Sequence, residues 1–130
     1  MSIPYVYDAG VLLAIDADDR RMWVIHHLAV EEGRRLLVPA VVVAQAWRDA
    51  SRQVQLGRFL HSCEVLPIGV ETAKVAGVLC GKAGTRDVVD AAVVTVALAY
   101  GAIVFTSAPN DIIHLAAAAE VKPGLVVRPV

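Results

Sequence analysis

An uncharged run of 15 residues, from Ala91 to Phe105, most constrains what this chain can fold into. The run is too short to cross a membrane, since the apolar core of a bilayer needs ~20 helical residues. Gly101 interrupts it, and glycine commonly ends a helix. The run therefore predicts a buried helix over residues 87–100, a stop at Gly101 and a buried strand in "AIVFT", with no membrane partner.

The rest of the chain repeats this alternation of strands and helices. Strands are predicted in "YVY", "LLV", "CEVLPI" and "LVVRPV". Helices are predicted in "AGVLLAI", over residues 20–32, from Pro39 through Arg48, in "VQLGRFLHS", and over residues 71–82 and 112–120. Such alternation indicates an α/β fold, a three-layer sandwich with a mostly parallel central sheet of four or five strands flanked by helices. The apolar content of 57% agrees with strands buried on both faces.

Length and charge limit the organisation and the partners. A chain of 130 residues is long enough to bury one core, so residues 1–130 are expected to form a single domain. Twelve Lys and Arg against 13 Asp and Glu leave a net charge of −1, so contact with a polyanion must be local. Cys63 and Cys80 form no C-x-x-C pair, and no targeting signal opens the chain. A reducing cytoplasm is the expected location.

Four aspartates are placed so that they should meet at one edge of the predicted sheet. In open parallel sheets, loops and helix amino-termini gather outside the carboxyl ends of the strands. Asp8 directly follows the first strand, and Asp111 lies in the loop or first helical turn after the fourth. Asp87 and Asp90 lie three residues apart at the start of the central helix, so they share a helix face. Because that helix leads through Gly101 into the fourth strand, its start belongs to the same edge.

The chemistry expected of these aspartates follows from their mutual repulsion. One of several crowded carboxylates takes up a proton unless a cation compensates. Carboxylate oxygens suit Mg²⁺ or Mn²⁺, either of which can activate water and stabilise an anionic phosphoryl transition state. Metal-dependent phosphodiester hydrolysis is the reaction that suits such a site. A structural interpretation also stays open: Asp87 and Asp90 could form a helix cap, and Asp111 could cap the next helix.

Other catalytic motifs are poorly supported. "DAGVLL" and "IVFTS" faintly resemble the haloacid-dehalogenase-type phosphatases, but Gly10 stands where that family has a second aspartate. "GVLCGKAG" fails as a phosphate loop because Ala83 follows Lys82 where a hydroxyl should bind Mg²⁺. A zinc site is not expected, because H-x-x-x-H spacing is absent among the four histidines, which are His26, His27, His61 and His114.

Three segments, "YVYDAGVLLA", "VPAVVVAQAWR" and "TRDVVDAAVVTVALAYGAIVFTSAPNDI", are spread over almost the whole chain. In content and order they resemble the PIN-domain family, small metal-dependent ribonucleases that include the VapC toxins of toxin-antitoxin pairs. The resemblance implies a PIN-like domain in which Asp8 and Asp90 bind the metal, with Asp87 and Asp111 as supporting carboxylates. It also makes Thr106 the hydroxyl residue that ends the fourth strand.

Two positions depart from the family pattern. Many relatives carry glutamate at the position of Gln45, and Asp or Asn at the position of Ala108. An amide can still hold a water or offer an oxygen to a metal, but it adds no negative charge. The resemblance thus implies a ribonuclease dependent on Mg²⁺ or Mn²⁺ in which Gln45 positions a water. The alternative is a catalytically impaired PIN-like module that binds RNA or a protein without cutting.

The resemblance also implies partners, namely an RNA substrate, an antitoxin that covers the site, and a second copy in a homodimer. Arg48 and Arg52 are expected one helical turn apart, and Arg86 adjoins Asp87. These arginines could hold RNA phosphates at the rim of the acidic site. They could equally be solvated or paired with acidic residues such as Asp49.

Overall fold

The computed structural model describes residues 2–121 and 124–130, and the predicted alternation is confirmed there. The strands are β1 Tyr5–Tyr7, β2 Leu36–Pro39, β3 Glu64–Leu66, β4 Ile103–Thr106 and β5 Val127–Pro129. The helices are α1 Ala9–Asp16, α2 Arg20–Glu31, α3 Ala40–Ala46, α4 Val54–His61, α5 Val70–Ala83, α6 Val88–Tyr100 and α7 Pro109–Ala118. Met1, Lys122 and Pro123 lie outside the described residues, and the single domain over residues 1–130 stays a prediction.

The five strands form one sheet in the order β3-β2-β1-β4-β5, and every neighbouring pair is parallel. This confirms the predicted α/β class. The first strand of the chain is the central one, between β2 and β4. In its register with β4, Tyr7 pairs with Phe105, so Asp8 and Thr106 both lie at the carboxyl edge of the sheet.

The helices flank this sheet because parallel strands need crossover connections, which are almost always right-handed. From β1 to β3 the chain moves along the sheet in one direction, and from β4 to β5 it moves in the opposite direction. Right-handed connections that run in opposite directions place their helices on opposite faces, so helices cover both faces of the sheet. Helix α1 packs against α2, α3 and α4. Helices α5, α6 and α7 pack against one another, and α6 also contacts β1, β2 and β4.

Helix α6 and strand β4 are the two buried halves of the uncharged run. Six residues of α6 are buried, and Gly101 ends the helix in the left-handed region with φ 61°. In β4, Val104, Phe105 and Thr106 are buried. The helix, stop and strand predicted from the run are confirmed. No helix in the described ranges is long and apolar enough to cross a bilayer.

Helix α3 is shorter than the predicted helix from Pro39 through Arg48. Pro39 is the last residue of β2 and precedes the helix, and Trp47 is already extended with ψ 134°. The buried side chain of Gln53 explains the early stop, because its Oε1 accepts from the amides of Arg48 at 2.6 Å and Asp49 at 3.0 Å. Arg48 and Arg52 therefore lie in the loop between α3 and α4, and the prediction that they are one helical turn apart is wrong.

A chain of hydrogen bonds crosses the core beneath β1. The Ser62 hydroxyl donates to the carbonyl of Phe59 at 2.6 Å, so toward His26 Nε2, 2.7 Å away, it acts as acceptor. The His26 Nδ1 atom then accepts from the Tyr7 hydroxyl at 3.1 Å. Burial lowers the pKa of His26 to about 4. The imidazole is therefore neutral near pH 7 and joins α2, β1 and the end of α4.

Candidate active site

Asp8 lies where β1 ends and α1 begins. Its Oδ1 accepts from the amides of Gly10 at 2.8 Å and Val11 at 3.4 Å, which makes it the N-cap of α1. The side chain is only 5% exposed. The capping role was not expected, because the eight-residue helix α1 carries no clear amphipathic pattern in the sequence. It leaves Oδ2 as the oxygen with most capacity for a further ligand.

Thr106 contacts Asp8 from the neighbouring strand β4. This last residue of β4 is fully buried, and its hydroxyl donates to Oδ2 of Asp8. The Thr106 hydroxyl oxygen in turn accepts from the amide of Ala108 at 2.9 Å, where α7 begins. Burial raises the pKa of Asp8, and the hydrogen bonds from Thr106 and from backbone amides oppose the rise. Thr106 thus fixes the orientation of the Asp8 carboxylate.

Gly10 allows the two loops at this edge to touch. A Cβ on Gly10 would lie 2.5 Å from the Cβ of Ser107 and 3.0 Å from its amide nitrogen. Real side chains do not approach this closely, so only glycine fits without movement. In the sequence alone, Gly10 is informative only as a departure from the phosphatase motif. Its packing role depends on a partner 97 residues away, which no local pattern indicates.

Asp87 and Asp90 open α6, and their two roles differ. Asp87 is the N-cap, and its Oδ1 accepts from the Asp90 amide at 3.0 Å. The capping interpretation is confirmed for Asp87. The Asp90 side chain is half-buried, and its pKa is raised to about 7, first by burial and then by the charges of Asp87, Asp8 and Asp111. All four predicted carboxylates therefore lie close enough for their charges to interact.

Asp111 lies in the first turn of α7, which begins at Pro109. The N-cap position belongs to Ala108, so the interpretation of Asp111 as a cap is wrong. Its carboxylate faces a cavity of about 130 Å³ between α6 and α7. Asp8 does not line this cavity. The residues that do are Thr85, Asp87, Asp90, Asp111, His114 and Leu115.

The four aspartates offer carboxylate oxygens, which are the donors that a hard divalent cation prefers. Within residues 2–121 and 124–130, no three His, Cys, Asp or Glu side chains are grouped closely enough to hold a metal ion. Charges act over several ångströms, whereas Mg²⁺ needs oxygens at ~2.1 Å. However, Mg²⁺ is usually held by only one or two carboxylates and keeps several waters. The carboxylate oxygens at this edge are therefore donors of the kind that this cation prefers, and fewer than three of them are needed as ligands.

The remaining predicted residues form no side-chain hydrogen bond to the four aspartates in the described part of the chain. Gln45 is exposed on α3, and among the described residues its side chain forms no hydrogen bond to the aspartates. Arg48 donates to the carbonyls of Ala44 at 3.1 Å and Trp47 at 2.7 Å. Arg52 pairs with an aspartate of its own loop at 3.9 Å, as one of the two interpretations expected. Arg86 is exposed and lies between two cavity-lining residues.

The fold and the acidic edge define an α/β protein whose parallel sheet carries carboxylates at the carboxyl ends of its strands. The sequence model of the PIN domain family matches residues 5–118, and the chain belongs to this family, whose members are generally nucleases. The family predicted from the sequence is confirmed.

One solved structure similar to this chain is VapBC2 from Rickettsia felis bound to a DNA fragment from their promoter. It matches with a TM-score of 0.71 at 15% identity, over 98% of this chain and 99% of that chain. A likeness at this identity shows a shared fold. No curated protein sequence matches the chain.

Proposed function

We propose that this protein is a ribonuclease that hydrolyses phosphodiester bonds of RNA with the help of Mg²⁺ or Mn²⁺. The observation that carries the proposal is that Asp87, Asp90 and Asp111 line one cavity at the edge of the sheet where Asp8 lies, which agrees with a pKa of Asp90 raised to about 7 by burial and by its neighbours. Such crowding is unfavourable in the free protein, and a divalent cation relieves it. Perturbed acids of this kind are typical of functional sites. Membership of the PIN domain family supports the same conclusion.

In this proposal, Asp8 and Asp90 hold the cation. When bound, a divalent cation lowers the pKa of a coordinated water and stabilises negative charge on phosphoryl oxygens. Thr106 keeps Oδ2 of Asp8 oriented, because its hydroxyl donates to that oxygen. Asp87 and Asp111 accept hydrogen bonds from waters at the cavity between α6 and α7. In-line attack by water then cleaves the phosphodiester without a covalent enzyme intermediate.

Binding of RNA requires some arginine side chains to leave the contacts that they make in the free protein. With a net charge of −1, the protein must hold RNA phosphates through local contacts. Arg86 suits this role, since it is exposed beside the acidic cavity. Arg48 and Arg52 can join it only after leaving their present partners in the loop. Gln45, exposed on the neighbouring helix α3, is proposed to position a water rather than to bind the cation.

We further propose that the protein is the toxin of a toxin-antitoxin pair. The fold shared with VapBC2, which was solved on a promoter DNA fragment, supports an antitoxin partner. The family resemblance also favours a homodimer, and the free thiols of Cys63 and Cys80 agree with a reducing, cytoplasmic location. A small open reading frame beside the gene, whose product binds this protein and relieves its growth arrest, would support the pairing. Light scattering of the purified protein tests the homodimer.

Cleavage of a labelled RNA with and without Mn²⁺ tests the nuclease proposal. We expect cleavage that stops with a chelator and falls about 100-fold or more in Asp8→Asn and in Asp90→Asn, because several kcal/mol of charge stabilisation are lost. Asp18→Asn is a matched control, since Asp18 is exposed in the turn after α1 and asparagine tolerates its φ of 59°. Unchanged cleavage in both site variants would contradict the proposal.

A second function, a PIN-like module that binds RNA or a protein without cutting, is favoured by two observations. Gln45 and Ala108 add no charge, and the described residues contain no group of three metal-ligating side chains. This alternative predicts RNA or partner binding that persists in a chelator, with no turnover. Gln45→Glu combined with Ala108→Asp distinguishes the two. A gain of metal-dependent cleavage from zero supports the impaired module, whereas a modest increase over measurable activity supports the nuclease.

A further inference from the structure

His114 lines the acidic cavity, and the proposed function gives this side chain no role. It lies on α7, three residues after Asp111 and therefore on the same helix face. Its Nε2 atom is 2.8 Å from the carbonyl oxygen of Ala83. Because a carbonyl only accepts, the Nε2 atom must carry the proton. His114 therefore binds the end of α5 from α7.

The carbonyl of Ala83 stands at the start of the connector, residues 84–87, which joins α5 to α6. Gly84 turns the chain in the left-handed region with φ 72°, and Asp87 ends the connector as the N-cap of α6. Other hydrogen bonds hold the connector to α5, to itself and to the first turn of α6. The first two groups are the Thr85 amide to the Cys80 carbonyl at 3.1 Å, the Asp87 amide to the Thr85 hydroxyl at 3.2 Å, and the Cys80 thiol to the Asp87 carbonyl at 3.6 Å. Toward α6, the amides of Asp90 and Ala91 donate to the carboxylate of Asp87 at 3.0 Å and to its carbonyl at 3.1 Å, and the Val88 amide donates to the Arg86 carbonyl at 2.9 Å.

The His114 bond is thus the hydrogen bond that ties this region to α7 within the described part of the chain. The consequence is geometric. Asp87 belongs to the connector and Asp111 to α7, yet both line one cavity with Asp90. Helix α6, which Asp87 caps, packs directly against α7. The His114 bond adds a second tie, between α7 and the end of α5 from which the connector runs to Asp87.

We propose that His114 is a positioning residue: its bond to the Ala83 carbonyl holds the connector so that Asp87 and Asp111 keep a fixed spacing across the cavity. This inference rests on the proposed function, since the fixed spacing serves a divalent cation held by Asp8 and Asp90. A preorganised set of carboxylates binds a cation more tightly than one that must first be ordered. His114 acts through the connector and through Asp87, and it does not touch the cation.

Calorimetric titration of Mn²⁺ into the full chain tests the inference without relying on activity. His114→Ala removes the donor and should weaken Mn²⁺ binding roughly fivefold, as loss of one hydrogen bond does. His114→Gln keeps an N–H donor at similar reach and should stay within about twofold of wild type. His61→Ala, an exposed histidine on α4, is the matched control and should change nothing. Equal Mn²⁺ binding by wild type and His114→Ala would overturn the inference.

Two further measurements separate positioning from general loss of structure. In a double-mutant cycle with Asp87→Asn, the effect of His114→Ala on Mn²⁺ binding should largely vanish, whereas additive effects would contradict action through Asp87. Amide hydrogen exchange at Thr85 and Asp87 should be about fivefold faster in His114→Ala and restored in His114→Gln. If wild type binds no Mn²⁺, the proposed function fails, and the exchange result alone decides whether His114 holds the connector. Unchanged exchange would overturn that role.

Discussion

Replacement of Asp90 by asparagine should stabilise the free protein at alkaline pH. The pKa of Asp90 is raised from 3.8 to about 7 in the folded protein. Folding therefore binds this proton more tightly, and the resulting stability is present at low pH and is lost as pH rises through about 7. At ~1.4 kcal/mol per unit of pKa, the whole shift would change the free energy of unfolding by ~4 kcal/mol. Because Asp90 is only half-buried, solvent screening reduces the expected gain to about 1–2 kcal/mol.

Urea unfolding followed by the fluorescence of Trp23 and Trp47 measures this gain. At pH 8, without divalent metal, Asp90→Asn should be more stable than wild type by about 1–2 kcal/mol, and the difference should shrink toward pH 5. Asp18→Asn should show neither effect. If Asp90→Asn is equally destabilising at pH 8 and pH 5, the crowding of carboxylates around Asp90 is refuted.

Metal should reverse the order of the two proteins at pH 8. A ligand that binds only the folded state stabilises it by ~2.7 kcal/mol at 100 times its dissociation constant. Mn²⁺ should therefore stabilise wild type and have much less effect on Asp90→Asn, which lacks one of the two proposed ligands. An equal response of both proteins to Mn²⁺ would show that any binding occurs elsewhere.

Two further predictions concern the surroundings of the site. The neutral His26 has a pKa near 4, so the free energy of unfolding should fall by roughly 2–3 kcal/mol as pH drops from 6.5 to 4. His26→Leu should be less stable than wild type, and its free energy of unfolding, measured by urea titrations at several pH values, should lack this fall with pH. An unchanged dependence on pH would contradict the neutral state of His26. Gly10→Ala should cost about 1–3 kcal/mol in the same assay because the new Cβ meets Ser107. Gly77→Ala, on α5 with open space around it, should not destabilise the protein.

Most of the fold could be predicted from the sequence because the features that indicate it are local. The uncharged run, its break at Gly101 and the alternation of short apolar strands with helices all act within a few residues. The aspartates could be assigned to one edge because parallel topology alone places the ends of β1 and β4 side by side. Their metal-binding and catalytic roles remain predictions.

What the sequence did not reveal depends on contacts between distant segments. The early end of α3 is set by the side chain of Gln53, which also donates to the Ala46 carbonyl at 2.9 Å and to Asp16 at 3.2 Å. The helical periodicity of residues 40–48 does not indicate that the Gln53 side chain binds the amides of Arg48 and Asp49. The sequence does not indicate the hydrogen-bonding role of His26, because its partners Tyr7 and Ser62 lie on β1 and after α4. It likewise does not indicate that Gly10 packs against Ser107.

The position of β1 at the centre of the sheet has a consequence for synthesis. Of the five strands of this sheet, β1 is synthesised before the others and can pair on one side as soon as β2 follows, but its other side waits for residues 103–106. The hydroxyl that orients Asp8 is separated from it by 98 residues and arrives with that late strand. Fragments that stop before β4 therefore lack both the partner of β1 and the geometry of its acidic end. The sheet stays without a formed centre until β4 has been made.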